Sequence, residues 1–481
     1  MSSTRASNHR RDLVGFVVAM AGRLATIAAI LSACTRPNPE FCDDDRDCNN
    51  GEVCNLDVHR CIEAPPDLTC STNDECPLER PICGDVGACR SCVTDDECST
   101  GVCRSDGTCE LSERILYVRP NGIAMGTCGA AGPCSLEYAR SLLSAERTTI
   151  RLFDGTYPLA ETFLVHGGMN VSVVGNRAAI VQRNGLGTSF DVMGIGTTAT
   201  LRGFTLNRGL SCSDATLEVT RMALNSAVND VRPWIASTAC TLFVADSELA
   251  DSLDDSIYVS SGTVTVMGTK IERSMGDGVE VLGGSATIKT STITRSRQLG
   301  VTTVNSALVL HRSMVSYNRL GGVRSTQGSF NVVNNFVFRN GDPGASTFGG
   351  MHLDSASTTS RVMHNTVLLN DCDVSLPALS GGLYCRIGTT GTAYGNLIAN
   401  NYRGNTSFQN AQTGGTCDFT YSLVAETTLS LGCVLASEEC HLAGAASPAV
   451  NAGMSLGVME DFDGEPRSDG KPDMGADEVQ P

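Results

Sequence analysis

The chain has 481 residues, of which 41% are hydrophobic, 50 are glycine and 5% are aromatic. This composition permits a large core, is typical of a repetitive β architecture and argues against a helical fold. The formal net charge of −17 excludes nucleic acid as the expected partner, because phosphate binding requires a basic face. The 22 cysteines predict an oxidising compartment and therefore export.

The N-terminal segment has the pattern of an export signal. Three arginines precede an apolar stretch that Arg23 interrupts and that ends in the sequence LSAC at residues 31–34. The stretch is too short and too broken to span a bilayer. Its ending resembles the lipobox of bacterial lipoproteins, which implies a signal peptide over 1–34 and a lipid anchor on Cys34 at the outer membrane or cell surface. A plain signal peptide cut near Ala33 is the alternative.

Residues 35–110 contain three groups of four cysteines, each of which opens with a cysteine, an acidic stretch and a second cysteine. Units this small bury almost no core, so we expect two disulfides in each, with the pairing left open. Zinc binding is the competing interpretation, but the cysteine spacings do not favour it. The modules resemble the cysteine-rich repeats of deltaproteobacterial-type surface lipoproteins. The disulfide candidates are Cys42, Cys48, Cys54, Cys61, Cys70, Cys76, Cys83, Cys89, Cys92, Cys98, Cys103 and Cys109.

Residues 111–440 consist of short apolar runs separated by glycine-containing turns, which predict strands. The first predicted strand covers 115–118, and Cys128 and Cys134 in the following loop are predicted to pair. A short helix over 135–144 is expected to cap the domain. Residues 149–157 resemble the opening coil of pectate-lyase-like β-helices, in which a strand leads into an Asp-Gly-x-Tyr turn.

An internal period of 22 residues is the main indication of the fold. Stacking coils of this length at roughly 4.8 Å would place each residue on its counterpart and bury continuous columns of branched side chains. The pattern predicts an all-β chain, a right-handed parallel β-helix preceded by small disulfide-rich modules. The apolar rows are Val244, Val266, Ile288, Leu310, Val332; Leu249, Ile271, Ile293, Val315, Val337; and Ile257, Val279, Val301, Val323.

A polar row and a longer period follow in the same region. The polar row resembles the asparagine ladder of parallel β-helices and is assigned a structural role. Its members are Ser252, Ser274, Ser296, Asn318, Asn340 and, at intervals of 30, Asn370 and Asn400. Extra residues at 341–349, 371–381 and 401–412 are expected to stack at one corner into a wall, where binding is expected. Cys372 and Cys385 flank the second insertion and are predicted to form a disulfide.

Stacked aspartates are the catalytic candidates. Asp255 and Asp277 are one period apart, Asp254 and Asp230 lie near the same turn, and Arg295 is a candidate base. Pectate lyases use calcium held by aspartates and an Arg or Lys base, whereas polygalacturonase-type hydrolases use aspartates on adjacent coils. The Gly-His-Gly and Arg-Ile-Lys motifs of these families are absent from the following coils. Solvated turn aspartates are the alternative interpretation.

Residues 441–481 form a distinct C-terminal segment. It resembles the closing segment of bacterial surface β-helix proteins through the motifs SPAVNAG at 447–453, DFDGEPR at 461–467 and DMGADE at 473–478. Asp461, Asp463 and Asp473 are candidate calcium ligands, because hard oxygens close in sequence suit that ion. The preferred alternative is a turn that caps the last coil against edge pairing. No cofactor is required by the pattern, and calcium is the one ion that it suggests.

The leading functional hypothesis is a non-catalytic surface protein whose cysteine modules form a stalk and whose β-helix binds carbohydrate or protein. The alternative is a polysaccharide lyase or glycoside hydrolase that acts on extracellular polysaccharide. An Arg or Lys that faces stacked carboxylates in one groove would favour the enzyme. Scattered carboxylates would favour the binding protein.

Overall fold

The computed structural model describes the strands Glu52–Asn55 and Arg60–Glu63 and residues 70–84, 87–225, 232–373, 380–388, 391–404, 411–425, 441–442, 447–454, 456–467 and 471–479. The chain divides into two compact units, Met1–Leu111 and Ser112–Pro481. Cys34 lies outside the described residues, so its lipidation stays a prediction. In the described parts of the chain, no helix is long and apolar enough to cross a bilayer.

Disulfides hold the small N-terminal modules together. In the two modules whose four cysteines are all described, the first cysteine pairs with the third and the second with the fourth: Cys70 with Cys83, Cys76 with Cys89, Cys92 with Cys103, and Cys98 with Cys109. Since these thiols are consumed in disulfides, the zinc interpretation is wrong for these two modules. Cys42 and Cys48 lie outside the described residues, and Cys54 and Cys61 occupy paired positions of two antiparallel strands. The other elements of this unit are the strands Ile82–Cys83 and Cys89–Arg90 and the 3-10 helices Asn73–Glu75 and Asp95–Glu97.

The second unit opens with a short cap, as predicted. A 3-10 helix, Ser112–Arg114, leads into the strand Ile115–Ile123, which extends beyond the predicted 115–118. Cys128 and Cys134 form a disulfide. The α-helix is shorter than expected, Leu136–Ser141, and the Ser135 side chain caps it by accepting a hydrogen bond from the Tyr138 amide.

Within the described residues, two long parallel sheets form the body of this unit. Sheet 1 consists of Gly155–Leu159, Ala179–Arg183, Thr205–Leu206, Ala223–Leu224, Glu248–Ala250, Lys270–Glu272, Thr292–Thr294, Met314–Ser316, Phe336–Phe338, Thr366–Leu368, Leu397–Ala399 and Leu423–Ala425. Sheet 2 consists of Ile115–Ile123, Thr149–Leu152, Phe163–Val165, Asn170–Val174, Phe190–Met193, Thr198–Arg202, Leu210–Ser213, Thr216–Thr220, Ile235–Ala245, Ile257–Met267, Val279–Lys289, Leu299–His311, Gly321–Thr326, Phe330–Val333, Met351–Ser355, Arg361–Met363, Leu383–Ile387, Ala393–Tyr394 and Thr413–Gly415.

Each regular coil contributes one strand to sheet 1 and two strand segments to sheet 2. We call the two segments B and C; in Val279–Lys289 they meet at Gly283 and Gly284, whose φ angles of 98° and 99° favour glycine. In later coils B and C are separate strands, as in Gly321–Thr326 and Phe330–Val333. The chain thus winds through sheet 1, B and C in turn.

The predicted apolar rows are confirmed by the strand register. Val266 pairs with Ile288, Ile271 with Ile293, and Val279 with Val301. The side chains of all three rows are at most 1% exposed and belong to one continuous core. Burial of branched aliphatic surface along the whole stack is therefore the main stabilising contribution in this unit.

Two polar ladders, rather than the one predicted, satisfy the buried backbone at the ends of the sheet 1 strands. In the predicted ladder, the Asn318 amide donates to Asn340 Oδ1 and the Asn340 amide donates to Asn370 Oδ1. The next member is Asn401 rather than Asn400, because the coil that follows Asn370 has 31 residues rather than 30. The ladder that the sequence analysis missed comprises Ser247, Thr269, Ser291, Ser313, Asn335, Asn365 and Asn396.

The insertions at one corner stack on one another where they are described. The Asp371 amide donates to the Asn340 carbonyl, and the Tyr402 amide donates to the Asn370 carbonyl. The Asp373 amide donates to the Ser346 carbonyl. Residues 341–349 and the described parts of the two later insertions therefore form the expected wall.

The predicted disulfide between Cys372 and Cys385 is wrong. Cys385 pairs with Cys417, one coil further along. The Cys372 thiol is buried and is in no disulfide, and burial raises its pKa to about 11. A further disulfide, which the sequence analysis missed, joins Cys212 to Cys240 on successive coils.

The C-terminal segment packs along the side of sheet 1 instead of capping only the last coil. Leu442 and Ala476 join a buried cluster with Phe336, which lies several coils before the end. The Phe336 and Phe462 ring centroids are 4.7 Å apart. The expectation of a simple cap is thus corrected: the segment covers apolar side chains on the outer face of sheet 1.

We expect Asn340→Ala to lower the free energy of unfolding by about 2–4 kcal/mol, because it leaves several buried backbone and amide groups without partners. Asn340 Nδ2 donates to the Val315 and Phe338 carbonyls. Urea denaturation measures the change. Asn331→Ala, an exposed asparagine in the same coil, is the matched control, and equal effects of the two substitutions would contradict the ladder.

The cysteine assignment predicts different costs for two variants. Replacing both Cys385 and Cys417 by serine should destabilise the unit by about 3–4 kcal/mol, because a long loop is no longer closed in the unfolded state. Cys372→Ala should cost about 1 kcal/mol. Denaturation curves and peptide mapping without reduction test this, and recovery of a peptide linking Cys372 to Cys385 would refute the assignment.

Candidate functional site

Asp255 and Asp277 stack on one turn, as their spacing predicted. Asp255 Oδ1 accepts a hydrogen bond of 2.7 Å from the Asp277 amide, and Asp277 Oδ1 accepts one of 2.8 Å from the Leu299 amide. Both residues are buried, with relative exposures of 8% and 5%. One oxygen of each carboxylate therefore holds the turn of the next coil.

A third carboxylate, Glu280, joins this pair from the adjacent segment B. It was not found from the sequence, because only turn residues were considered there. Glu280 pairs in register with Thr302, and Thr302 pairs with Arg324, so the three residues form one column on the outer face. The 44-residue interval, or two periods, between Glu280 and Arg324 at outward positions was the available signal.

The carboxylates and Arg324 line one cleft of about 320 Å³. Residues 345–348 of the first insertion form part of its lining, so the wall predicted at 341–349 borders the site. The lining residues are Asp254, Asp255, Asp277, Glu280, Gln298, Leu299, Leu320, Arg324, Ala345, Thr347 and Phe348. We call this site the acidic cleft.

Burial and mutual repulsion hold protons in the acidic cleft. Burial raises the pKa of Asp255 to about 7, and the charges of Asp277 and Glu280 add to this effect. The hydrogen bond from the Asp277 amide acts in the opposite direction. Burial and the charge of Asp277 raise the pKa of Glu280, against the opposing effects of Asp255 and Arg324. Both pKa values are raised and each group affects the titration of the other, so the cleft favours protonation of this pair.

Arg324 supplies the positive charge that faces this cluster. Its guanidinium lowers the pKa values of Asp277 and Glu280, against the dominant effect of burial. The Arg324 Nε atom is buried and has no hydrogen-bond partner among the described residues. A buried N–H group without a partner is costly, so this donor is available to a ligand in the cleft.

Aromatic rings continue the outward column beyond Arg324. His352 pairs in register with Arg324, and Tyr384 pairs with His352. The His352 ring stands edge-on to Phe348 at 5.6 Å and to Tyr384 at 4.9 Å between centroids. Burial lowers the pKa of His352, so the ring is neutral at pH 7. The column thus presents carboxylates at one end and ring faces at the other.

The remaining catalytic candidates have different outcomes. Asp254 lines the cleft, whereas Asp230 lies outside the described residues. The prediction of Arg295 as a base in this site is wrong: it follows the strand Thr292–Thr294 of sheet 1, and its guanidinium lies 5.5 Å from the centroid of the Tyr317 ring. Arg324, and not Arg295, lines the cleft with the carboxylates.

The three predicted calcium ligands are not brought together into one group of ligands, and calcium binding stays a prediction. Asp461 accepts hydrogen bonds from the Glu465 and Glu478 amides with its two oxygens. Asp473 likewise uses both oxygens, for the Asn451 and Val479 amides. Asp463 lies apart from them, 3.5 Å from His441.

A guanidinium supplies positive charge beside Asp461 and Asp473. Arg467 is buried, forms an ion pair of 2.6 Å with Glu478, and donates to the Asp473 and Gly475 carbonyls. Its charge opposes the effect of burial on the Asp461 and Asp473 pKa values, both of which are raised. The motif is therefore a network of turns organised around Arg467.

Comparisons with known proteins agree on the fold. The profile of the family described as "Right handed beta helix region" matches residues 235–413. No curated protein matches the sequence. Together with the two parallel sheets, the match defines an all-β protein whose main body is a right-handed parallel β-helix, preceded by a disulfide-rich region.

Solved structures with a similar course of the chain include three carbohydrate-related or surface proteins. Pectate lyase Pel9A has 13% identity and a TM-score of 0.42, over 77% of this chain and 97% of that chain. The A-module of mannuronan C-5 epimerase AlgE4 from Azotobacter vinelandii has 12% identity and a TM-score of 0.35, over 58% and 91%. PfbA, a surface adhesin of Streptococcus pneumoniae, has 11% identity and a TM-score of 0.30, over 57% and 77%. Similarity at this level carries no information about the ligand of this chain.

Asp255→Asn should make the protein more stable than the wild type above pH 7, by about 1–3 kcal/mol. The raised pKa means that the folded state keeps a proton that the unfolded state has lost, so wild-type stability falls as the pH rises from about 4 to 7. Asparagine removes this dependence, and its amide oxygen can still accept the Asp277 amide.

Chemical denaturation at pH 4, 5.5, 7 and 8.5 measures the difference between the two proteins. It should be largest at the two highest pH values and vanish near pH 4. The control is Asp246→Asn, an exposed bend residue in the same coil, which should follow the wild type. A constant difference at all pH values would contradict the raised pKa.

Proposed function

We propose that the chain is a glycoside hydrolase that binds an extended glycan in the acidic cleft and cleaves it by acid–base catalysis. The observation that carries the proposal is the cluster of Asp255, Asp277 and Glu280 facing Arg324 in one cleft. Hydrolysis of a glycosidic bond requires one carboxyl group that keeps a proton near neutral pH and a second carboxylate that is ionised.

The pKa values suggest how the roles divide. Asp255, whose pKa is raised to about 7, keeps a proton near neutral pH and is assigned as the donor to the leaving oxygen. Burial raises the pKa of Asp277, but the hydrogen bond from the Leu299 amide and the positive charge of Arg324 oppose this effect, so Asp277 is assigned as the carboxylate that activates water. Arg324 Nε, which has no hydrogen-bond partner in the described parts of the chain, is assigned to hold a hydroxyl oxygen of the glycan.

Charge favours a neutral glycan over a polyuronate in this cleft. Four carboxyl groups and one guanidinium line it, so a uronate carboxylate would be repelled. Elimination by a lyase starts from a uronic acid, and hydrolysis does not require one. Phe348 is buried, and the half-buried His352 ring that stands edge-on to it offers an aromatic surface on which a neutral sugar could stack.

A non-catalytic glycan-binding protein is the second candidate, and one observation favours it. Asp255 and Asp277 each use one oxygen to hold the next coil, which is the structural role of turn aspartates. In this case the same cleft would bind a glycan without cleaving it.

We further propose that the protein is exported and anchored to the cell envelope through Cys34. Seven disulfides within the described residues support export, because a reducing cytosol would not maintain them. The cysteine modules would then separate the β-helix from the membrane surface.

The full-length protein, incubated with neutral glycans such as xylan, β-glucan and pullulan, should release new reducing ends. Asp255→Asn and Asp277→Asn should each reduce the rate at least a hundredfold, because removal of an acid–base group typically costs that much. Asp246→Asn, outside the cleft, should retain the wild-type rate. Retained glycan binding with no new reducing ends in any digest would exclude the hydrolase and establish the binding protein.

A further inference from the structure

A second groove lies on segment C of the β-helix. Two adjoining cavities of about 440 and 410 Å³ share Arg361 and Met363 as lining residues and so form one groove. Residues 456–460 of the C-terminal segment form part of the lining. We call it the basic groove. None of its lining residues belongs to the acidic cleft.

The side chains of the basic groove are spaced by the coil repeat. Lys289 pairs in register with His311, and Met363 pairs with Tyr394. Val333 links the two pairs, so five successive coils contribute to one column. At about 4.8 Å per coil, the column is roughly 19 Å long. An extended polymer can therefore contact equivalent positions on several coils.

The groove carries a local positive charge on a chain whose formal net charge is −17. Lys289 and Arg361 are exposed, and neither forms an ion pair or side-chain hydrogen bond within the described residues. Glu460 is the acidic residue of the lining, and it pairs with Arg312 at 3.2 Å. Two cations therefore remain for a ligand.

The imidazole of His311, next to Lys289 in the column, is affected by the same positive charge. Burial and the neighbouring charges of Arg312 and Lys289 lower the pKa of His311, against the opposing effect of Glu460. His311 is thus neutral at pH 7 and can donate one hydrogen bond from its ring.

The other end of the groove is lined by hydroxyl groups and a tyrosine. Thr358, Ser360 and Thr392 provide hydroxyls, and Tyr394 stacks on Tyr421 with ring centroids 5.6 Å apart. Hydroxyl groups beside a supported aromatic ring suit the alternating polar edges and apolar faces of sugar rings.

We propose that the basic groove binds a linear anionic polysaccharide, with carboxylate or sulfate groups at Lys289 and Arg361 and a sugar ring at Tyr394. Lys289 and Arg361 lie three coils apart, or about 14 Å, which matches widely spaced charges along a polymer. Nucleic acid carries a charge about every 1.7 Å of duplex, and the net negative charge of the chain would repel it.

This site goes beyond the hydrolase proposal and does not depend on it. The acidic cleft is assigned to a neutral substrate, whereas the basic groove lies on segment C and holds the protein on an anionic glycan. The two sites use different residues, so each can be inactivated while the other is measured.

Calorimetry at 50 and 200 mM salt tests the proposal. It measures binding of the full-length protein to polygalacturonate, to chondroitin sulfate and to neutral dextran. We expect binding to at least one anionic polymer and not to dextran, with weaker affinity at the higher salt concentration. Replacing both Lys289 and Arg361 by alanine should weaken this binding at least tenfold. Binding of polygalacturonate alone or chondroitin sulfate alone would identify the carboxylate or the sulfate as the recognised group.

The control variant replaces Arg177 and Lys270 by alanine. It removes the same charge from two exposed residues of sheet 1 and its flank that are paired with Glu248 and Glu272. This control variant should bind like the wild type, and so should Asp255→Asn. A variant that carries both Lys289→Arg and Arg361→Lys should restore the binding that the alanine variant loses. Equal loss in the control variant, unchanged binding in the alanine variant, or absence of binding to both anionic polymers would overturn the proposal.

Discussion

Parallel hydrogen bonding between successive coils places every residue directly on its counterpart one circuit earlier. The apolar rows, the polar ladders and the candidate sites all follow from this constraint. A buried position must therefore be filled by side chains that pack well on similar side chains in the coils above and below. The branched residues of the row through Val266 and Ile288 meet this condition. Asparagine satisfies the same condition at the bends, because its amide both donates and accepts along the stack.

The same stacking explains why chemistry concentrates at one corner. Repetition of an aspartate on adjacent coils brings two carboxylates together, and the nearby Glu280 adds a third. Such a cluster is unfavourable when it is buried, and it persists because backbone amides and Arg324 offset part of the repulsion. A turn that only needed to bend would not require a glutamate and an arginine on the adjacent segment B. This combination distinguishes the acidic cleft from the polar bends elsewhere in the coil.

Periodicity made the core and one ladder predictable from the sequence, because both depend on position along a regular repeat. The second ladder was missed since most of its members are serine and threonine, such as Thr269 and Ser291, whose hydroxyls carry a weaker signal than asparagine. Where the period lengthens, residue spacing no longer predicts which residues stack. Cys385 forms its disulfide with Cys417 on the next coil and not with the nearby Cys372. Arg324 could not be recognised without knowing that segment B faces the turn aspartates.

The C-terminal segment gives the β-helix a second kind of surface that a pure repeat cannot provide. A bare stack exposes the same column on every coil, and such a column is a flat binding surface. This segment packs along sheet 1, where Arg312 donates a hydrogen bond to the Phe462 carbonyl. It therefore forms a rim beside segment C, and this rim turns part of the flat column into a groove. The cations Lys289 and Arg361 lie on coils that face this rim, and the acidic cleft has its own rim in the insertion at 341–349. In both places an irregular segment closes one side of a regular column, which is how a repetitive scaffold acquires two sites of opposite charge.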